Sequence, residues 1–280
     1  MNTRTHRYHG GPRAIAEKIP LSANKLLTAL LSGFLLGVVA GLVGVGGGEF
    51  RTPILLYVIG LPVLTAIAVN LLVGLLTVVV SFLRRFQIGL LDKQTIDIAL
   101  IMSATSILGA YLGAALTGKI SEKPLKKMLA AFLIIVGLKI ATEPFIEIPL
   151  AFALTLNFVE EVLLAALIGL VIGIISGTLG VAGGEFRIPA LIYLFSLDVV
   201  EAGTASLMVS IPTVASGFLK HQNMGHMDRN AALIALVMGI GSVLGALLGA
   251  SYAGVVEKDF LKVLLGLILI LATVRMVTKP

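Results

Sequence analysis

Long apolar runs, interrupted by glycine, proline and charge, set the plan of this chain. In the first half Lys25–Val43 is apolar and helical, and Gly44–Gly48 breaks it. Pro53–Ile59 is a short apolar piece with its proline near the first turn, where a missing N–H is tolerated. Pro62–Leu83 follows and ends at Arg84-Arg85; then come Thr95–Leu116 and the shorter Leu125–Ile140. The second half runs Val162–Leu179, a break, Pro189–Phe195, Val199–Leu219, Asn230–Ala253 and Phe260–Met276. A helix needs about 20 apolar residues to cross a bilayer, which most of the long runs approach or exceed. The pattern predicts an all-α membrane protein. It divides into an N-terminal tail (1–24), a first repeat (25–141), a linker (142–161) and a second repeat (162–280), the repeats together forming one domain. Each repeat is expected to hold a Gly-broken helix segment plus three spanning helices.

The halves match residue by residue. Gly44-Val45-Gly46-Gly47-Gly48-Glu49-Phe50-Arg51-Thr52-Pro53 recurs, 136 residues on, as Gly180-Val181-Ala182-Gly183-Gly184-Glu185-Phe186-Arg187-Ile188-Pro189. The offset holds without a gap from Gly37/Gly173 to Lys139/Arg275 and includes Tyr57/Tyr193, Gly89/Gly225 and Asp92/Asp228. A duplicated half with a Gly-rich break in each copy is the signature of a carrier whose site lies between its repeats.

Composition agrees with the membrane reading. Hydrophobic residues make up 58% and charged residues 13%, against about 25% charged in soluble domains. With no cysteine, disulfides, thiol nucleophiles and Cys-bound metals are excluded; with no tryptophan, an interfacial belt falls to Tyr and Phe. The net charge of +6 comes partly from Arg4, Arg7, Arg13, Lys18 and Lys25, a topology signal rather than a nucleic-acid surface. The first apolar segment is too long for a signal peptide, so the tail is expected to remain, partly disordered. Lys119, Lys123, Lys126 and Lys127, and the loop Lys220–Arg229, fit inside with the tail, while the acidic linker with Glu143 and Glu147 fits outside. That arrangement needs an odd number of crossings per half, which makes the repeats inverted; if the Gly-rich segment merely dips in from the outer face, each half crosses four times and the repeats are parallel. Arg84, Arg85 and Lys93 then fall outside, against the rule. Gly109-xxx-Gly113 and Gly241-xxx-Gly245-xxx-Gly249 are expected to pack helices within the chain, a homodimer seam being the alternative.

The repeated motif carries the chemistry. Irregular backbone at membrane depth survives only when buried in protein or lining a watery cavity. Gly46, Gly47 and Gly48, with Gly183 and Gly184, should unwind the chain and expose N–H groups ahead of a new helix, whose start favours anions. Arg51 and Arg187 add planar forks suited to oxyanions. Glu49 and Glu185 would repel an anion unless paired or protonated. They either pair with an arginine and fix its geometry, take up a proton and couple transport, or sit at the interface. Asn70 and Thr77, with Thr204, Ser206, Ser210 and Thr213, are further ligand candidates, Asn70 and Ser206 foremost. His221 and His226 read as solvated loop residues with no metal-ligand set around them. Ser176 lacks a base, which argues against a hydrolase, and no G-x-x-x-x-G-K-[ST] motif encodes nucleotide-driven transport. No cofactor is expected.

The two copies of G-x-x-x-G-x-x-G-x-G/A-G-G-x-x-x-x-P, Gly37 through Pro53 and Gly173 through Pro189, resemble the TauE/SafE family of sulfite and organosulfonate exporters. The resemblance covers nearly the whole chain from about Lys25. It implies a multi-pass secondary carrier of the inner membrane, N-terminus inside, that moves small sulfur or carbon oxyanions. Many relatives carry apolar residues between the glycines and the proline. This chain has Glu-Phe-Arg in both copies, a departure expected of a subgroup with its own substrate. A passive anion channel and a non-transporting scaffold are the alternatives. Neither the coupling ion, with protons the candidate, nor the direction of transport can be read from these residues.

Overall fold

A computed structural model describes residues 22–116, 122–146, 157–179, 182–223 and 227–278. The tail up to residue 21, most of the linker, His226 and the side chain of His221 lie outside the described residues, so the expectations placed on them are not addressed. Among the described residues ten α-helices form and no strand does. They are α1 (Ala23–Val43), α2 (Gly48–Pro53, continued by a π-helical turn, Ile54–Val58), α3 (Val63–Gln87), α4 (Lys93–Leu116), α5 (Glu122–Thr142), α6 (Phe158–Leu179), α7 (Gly184–Leu194), α8 (Val199–Asn223), α9 (Arg229–Tyr252) and α10 (Lys258–Thr278). Six are long and apolar enough to cross a membrane: α1, α3, α9 and most of α4, α6 and α8.

Helix ends shift by a few residues from the sequence reading, three of them at the site. The helices after the breaks start at Gly48 and Gly184, five residues before their prolines. Each proline is the sixth residue of its helix, where it omits one ladder N–H, and after Pro53 the ladder widens, Ile59 N–H donating to Ile54 O at 2.9 Å. α3 also runs on through Arg84-Arg85 to Gln87, because Arg85 is buried rather than solvated.

Glycine sets which helices touch. A Cβ at Gly33, Gly37 or Gly41 would collide with the backbone of Met238, Ser242 or Ala246. Ascending numbers meet ascending numbers, so α1 and α9 run parallel. α4 and α6 do the same, Gly169, Gly173 and Gly177 lying against Met102, Ser106 and Ala110. The glycine stripes on α4 and α9 therefore pack inside the chain, where small residues let backbones approach. α3 is parallel to α9 (Thr77 to Ser242, Arg84 to Ser251) and α4 to α8 (Thr95 to Glu201, Ser106 to Thr213). α3 opposes α8, since Leu71 meets Gly217 while Arg85 meets Val200. α5 opposes α10, Gly137 lying near Leu269 and Ala141 near Gly266. One set of helices, α1, α3 and α9, thus runs against another, α4, α6 and α8. Leu27, Leu31 and Leu35 on α1 and Leu163 and Leu167 on α6 are exposed, the apolar exterior that lipid requires.

Candidate functional site

Gly47 and Gly183 turn the two breaks into helix. Their φ values of 71° and 76° lie in the left-handed region, which glycine enters without a Cβ penalty. Gly47 O accepts the N–H of Arg51 at 3.2 Å, and Gly183 O that of Arg187 at 3.0 Å. The breaks then meet. A Cβ at Gly46 would lie 3.2 Å from that of Ala182, and one at Gly184 would lie 3.5 Å from Cα of Val45. Gly48 abuts the side-chain amide of Asn70, well inside α3. Gly46, Gly47, Gly48, Gly183 and Gly184 are therefore brought to one region from distant parts of the sequence.

Arg51 and Arg187 sit at the fourth position of α2 and α7, and both are wholly buried. Arg51 Nη1 donates to Asn70 Oδ1 at 3.1 Å, and Nη2 donates to Thr77 Oγ1 at 3.3 Å and Gly46 O at 3.4 Å. Arg187 Nη1 donates to Ser210 Oγ at 2.8 Å and Ser206 O at 3.1 Å, and Nη2 to Ala182 O at 3.4 Å. The terminal nitrogens are thus held by neutral oxygens in both cases. Among the described residues the Nε–H of each arginine has no partner, nor has the hydroxyl of Ser206. A further layer lies behind the first fork. Thr77 shares a hydrogen bond of 2.7 Å with Ser242, whereas Thr213, at the matching position, bonds Ser106 at 3.2 Å without reaching Arg187. Holding an ion out of water costs several kcal/mol after relaxation, and this chain does so at both breaks.

Glu49 and Glu185, 7% and 3% exposed, precede the arginines by two residues. Their carboxyl groups adjoin each other, and each lies within the electrostatic reach of its own arginine. The sequence candidates Asn70, Thr77, Ser206 and Ser210 all contact an arginine, whereas Thr204 turns instead to Arg85 and Thr213 to Ser106. Ser176, at the end of α6, abuts Gly183. A groove of about 570 Å³ lies elsewhere, between the starts of α4 and α6, lined by Lys93, Gln94, Asp97, Phe158 and Glu161.

Arg85 is the residue the sequence reading missed. Placed there in an outside loop, it is wholly buried. Its Nε donates to Gly41 O at 2.9 Å, Nη1 to Thr204 Oγ1 at 2.9 Å and Val200 O at 3.0 Å, and Nη2 to Leu42 O at 2.7 Å. A signal was available: Asn70, Gly74, Thr77, Ser81 and Arg85 follow one another at three- and four-residue steps, all on one buried face of α3.

Residues 29–276 match the family model described as "Sulfite exporter TauE/SafE". Relatives include the "Probable membrane transporter protein YdhB" of Bacillus subtilis, 25% identical over 83% of this chain and 92% of its own. The "Probable membrane transporter protein ORF9" of Sinorhizobium sp. is 26% identical over 93% of this chain and 95% of its own. A "Probable membrane transporter protein" of Xylella fastidiosa is 25% identical over 92% of this chain and 97% of its own. No solved structure matches. With the family model spanning nearly the whole chain and six helices fit to cross a bilayer, the protein belongs to the TauE/SafE family and is a multi-pass membrane transporter.

Proposed function

We propose that this chain is a secondary transporter of small oxyanions, sulfite and sulfonates first among them, acting across the cytoplasmic membrane. The observation that carries this reading is the unmet Nε–H on two buried arginines whose breaks converge. A buried donor without a partner costs about 1–3 kcal/mol, and an oxyanion between the two forks would meet both. Arginine's planar donors match oxyanion geometry, and water is already excluded. The family description supplies the substrate class.

The two halves are read as inverted repeats around that site. Support comes from helix boundaries: Val63–Gln87 and Val199–Asn223, Lys93–Leu116 and Arg229–Tyr252, and Glu122–Thr142 and Lys258–Thr278 are offset by the same 136 residues as the motifs. Matching helices oppose each other, α3 against α8 and α5 against α10. Broken helices facing each other near mid-depth are a recurrent carrier design. The described helix ends carry basic residues on both sides, Lys25, Lys127, Lys220 and Arg229 at one and Arg84, Lys93, Lys139, Lys258 and Lys262 at the other, so the inside N-terminus rests on the basic tail and basic loops of the sequence. Burial removes Arg85 from that vote.

Purified protein in liposomes, assayed for flux of sulfite, sulfate, thiosulfate, sulfoacetate and taurine with and without a pH gradient, tests the proposal. Saturable flux of at least one sulfur oxyanion is expected. Anion current with no coupling ion would replace the carrier with a channel, and no flux of any of the five would overturn the substrate class.

A further inference from the structure

We propose that Glu49 and Glu185 hold one exchangeable proton between them, and that this proton travels with the anion. The inference rests on the transporter reading above and goes beyond it by naming the coupling group and its stoichiometry.

Geometry carries the argument. The two carboxyls belong to different breaks, yet the crossing at Gly46, Ala182 and Gly184 brings them together. Both are buried. Two carboxylates in contact away from water repel strongly, and neither can donate a hydrogen bond to the other. One proton changes both facts: the charges no longer clash, and one carboxyl donates to its neighbour. Among the described residues Glu185 Oε2 has no partner, and the Nε–H groups of Arg51 and Arg187 are unmet in the same region. The region therefore has acceptor capacity for a proton and donor capacity for an anion.

The charges acting on the pair come from each other, from Arg51 on α2 and from Arg187 on α7. α3 and α8 add neutral Asn70, Thr77, Ser206 and Ser210, and α6 adds Ser176. Two guanidinium groups and two carboxylates sum to zero. A proton on the pair leaves a single positive charge, which one monoanion cancels. An anion entering without the proton would leave the buried site negative, at the cost that burying an unbalanced charge carries. Proton and monoanion should accordingly load together and leave together, one for one. The balance is complete: the proton comes from water on one side and returns to water on the other, and no bond other than O–H is made or broken.

The test is an infrared difference titration of the full chain in detergent, with no substrate added, from about pH 4 to about pH 9. The expected result is a protonated-carboxyl band that titrates as one proton and shifts when glutamate is labelled with ¹³C. Glu49→Gln and Glu185→Gln should each abolish it, because either change removes the repelling partner and lets the survivor ionise beside arginine. Loss in one variant alone would assign an unshared proton to that residue and overturn the sharing. A band that persists in both variants, or no labelled band in the wild type, would overturn the site. Should the glutamine variants fail to fold, Glu49→Asp and Glu185→Asp keep both carboxyls. Each should move the midpoint of the single band, and an unmoved midpoint in either one counts against sharing. Because no anion is present, a wrong substrate class leaves this readout standing. Anion flux from a protein without the band would retire the proton and keep the carrier.

Discussion

Asn70 holds Arg51 by its side-chain oxygen at 3.1 Å as well as its backbone carbonyl at 3.5 Å, whereas Ser206, at the matching position, meets Arg187 with its backbone carbonyl alone, at 3.1 Å. Ser210 makes up the difference, its hydroxyl accepting from Arg187 at 2.8 Å where the first half has Gly74. The two forks are therefore fixed by partly different means, and among the described residues the hydroxyl of Ser206 is left without a partner. The halves need not contribute equally to a bound anion.

Substitution at the forks separates charge from geometry. Lysine keeps the positive charge but is a point donor that cannot reproduce two aligned N–H groups. Arg51→Lys and Arg187→Lys should each raise the half-saturation concentration for the transported anion by about tenfold, equivalent to about 1.4 kcal/mol. Asn70→Ala should act in the same direction by loosening Arg51. Ser206→Ala leaves the carbonyl that holds Arg187, so a rise there reports contact between its hydroxyl and the anion. Unchanged flux kinetics in both lysine variants would remove the arginines from the site.

Helix directions make a topology prediction that needs no background mutations, because the chain has no cysteine. Lys220 lies near the end of α8 and Glu257 just before α10, both exposed. α8 runs from the end that holds Asp198, which pairs with Lys258 at 3.0 Å, toward the opposite end. Single cysteines at Lys220 and Glu257 should therefore react with impermeant maleimide from opposite sides of the membrane. Reaction of both from one side would break the helix arrangement.

The helices and the breaks could be read from sequence because lipid imposes a simple rule: apolar runs of spanning length, interrupted only where other parts of the chain satisfy the backbone. Arg51 and Arg187 stood out because a charge inside such a run has few bland explanations. What could not be read was the pairing of elements. That Gly46 meets Ala182, or that Glu49 meets Glu185, depends on α1 choosing α9 and α4 choosing α6, and glycine stripes mark a contact face without naming its partner. Arg85 was lost for a different reason. A basic pair at the end of an apolar run reads as a helix terminus meeting water, so even though it fell outside against the positive-inside rule, the helical spacing behind it went unused.

Asp198 gives a pH signature at the membrane surface. Burial pushes its carboxyl up, but the N–H of Glu201 and the ammonium of Lys258, with the N–H of Val200, outweigh that and hold it below its ordinary value. A carboxylate depressed in the folded state adds stability above its unfolded value and loses it as pH falls through the folded one. Asp198→Asn should thus flatten the acid limb of thermal stability while leaving stability near neutrality lower than wild type. An acid limb of wild-type steepness in that variant would show that other carboxyls set it.

Arg85 should matter to stability more than any surface cation, because one planar group serves four acceptors. Gly41 O and Leu42 O are at the C-terminal end of α1, where helix carbonyls have no partner of their own. Val200 O and Thr204 Oγ1 are in the first turns of α8. The guanidinium thus joins the last turn before one break to a helix of the other half. Gly203 leaves room for it, since a Cβ there would lie 3.0 Å from Nη1. Arg85→Met keeps much of the volume and removes every donor. Gly41 O and Leu42 O would be orphaned at about 1–3 kcal/mol apiece before relaxation, while Val200 O keeps the hydroxyl of Thr204 at 2.8 Å, so a net loss on the order of 3 kcal/mol is expected. Arg85→Lys should recover only part of it, as one ammonium cannot span acceptors on two helices in the same plane. Arg84→Ala is the control: that half-buried neighbour donates to Ser251 at 2.8 Å, and its loss should cost less than about 1 kcal/mol. With no tryptophan or cysteine for optical or thiol probes, the measurement is survival of the monodisperse peak after heating, read by size-exclusion chromatography. A melting profile for Arg85→Met that overlays that of Arg84→Ala would mean the four contacts contribute nothing to holding α1 against α8.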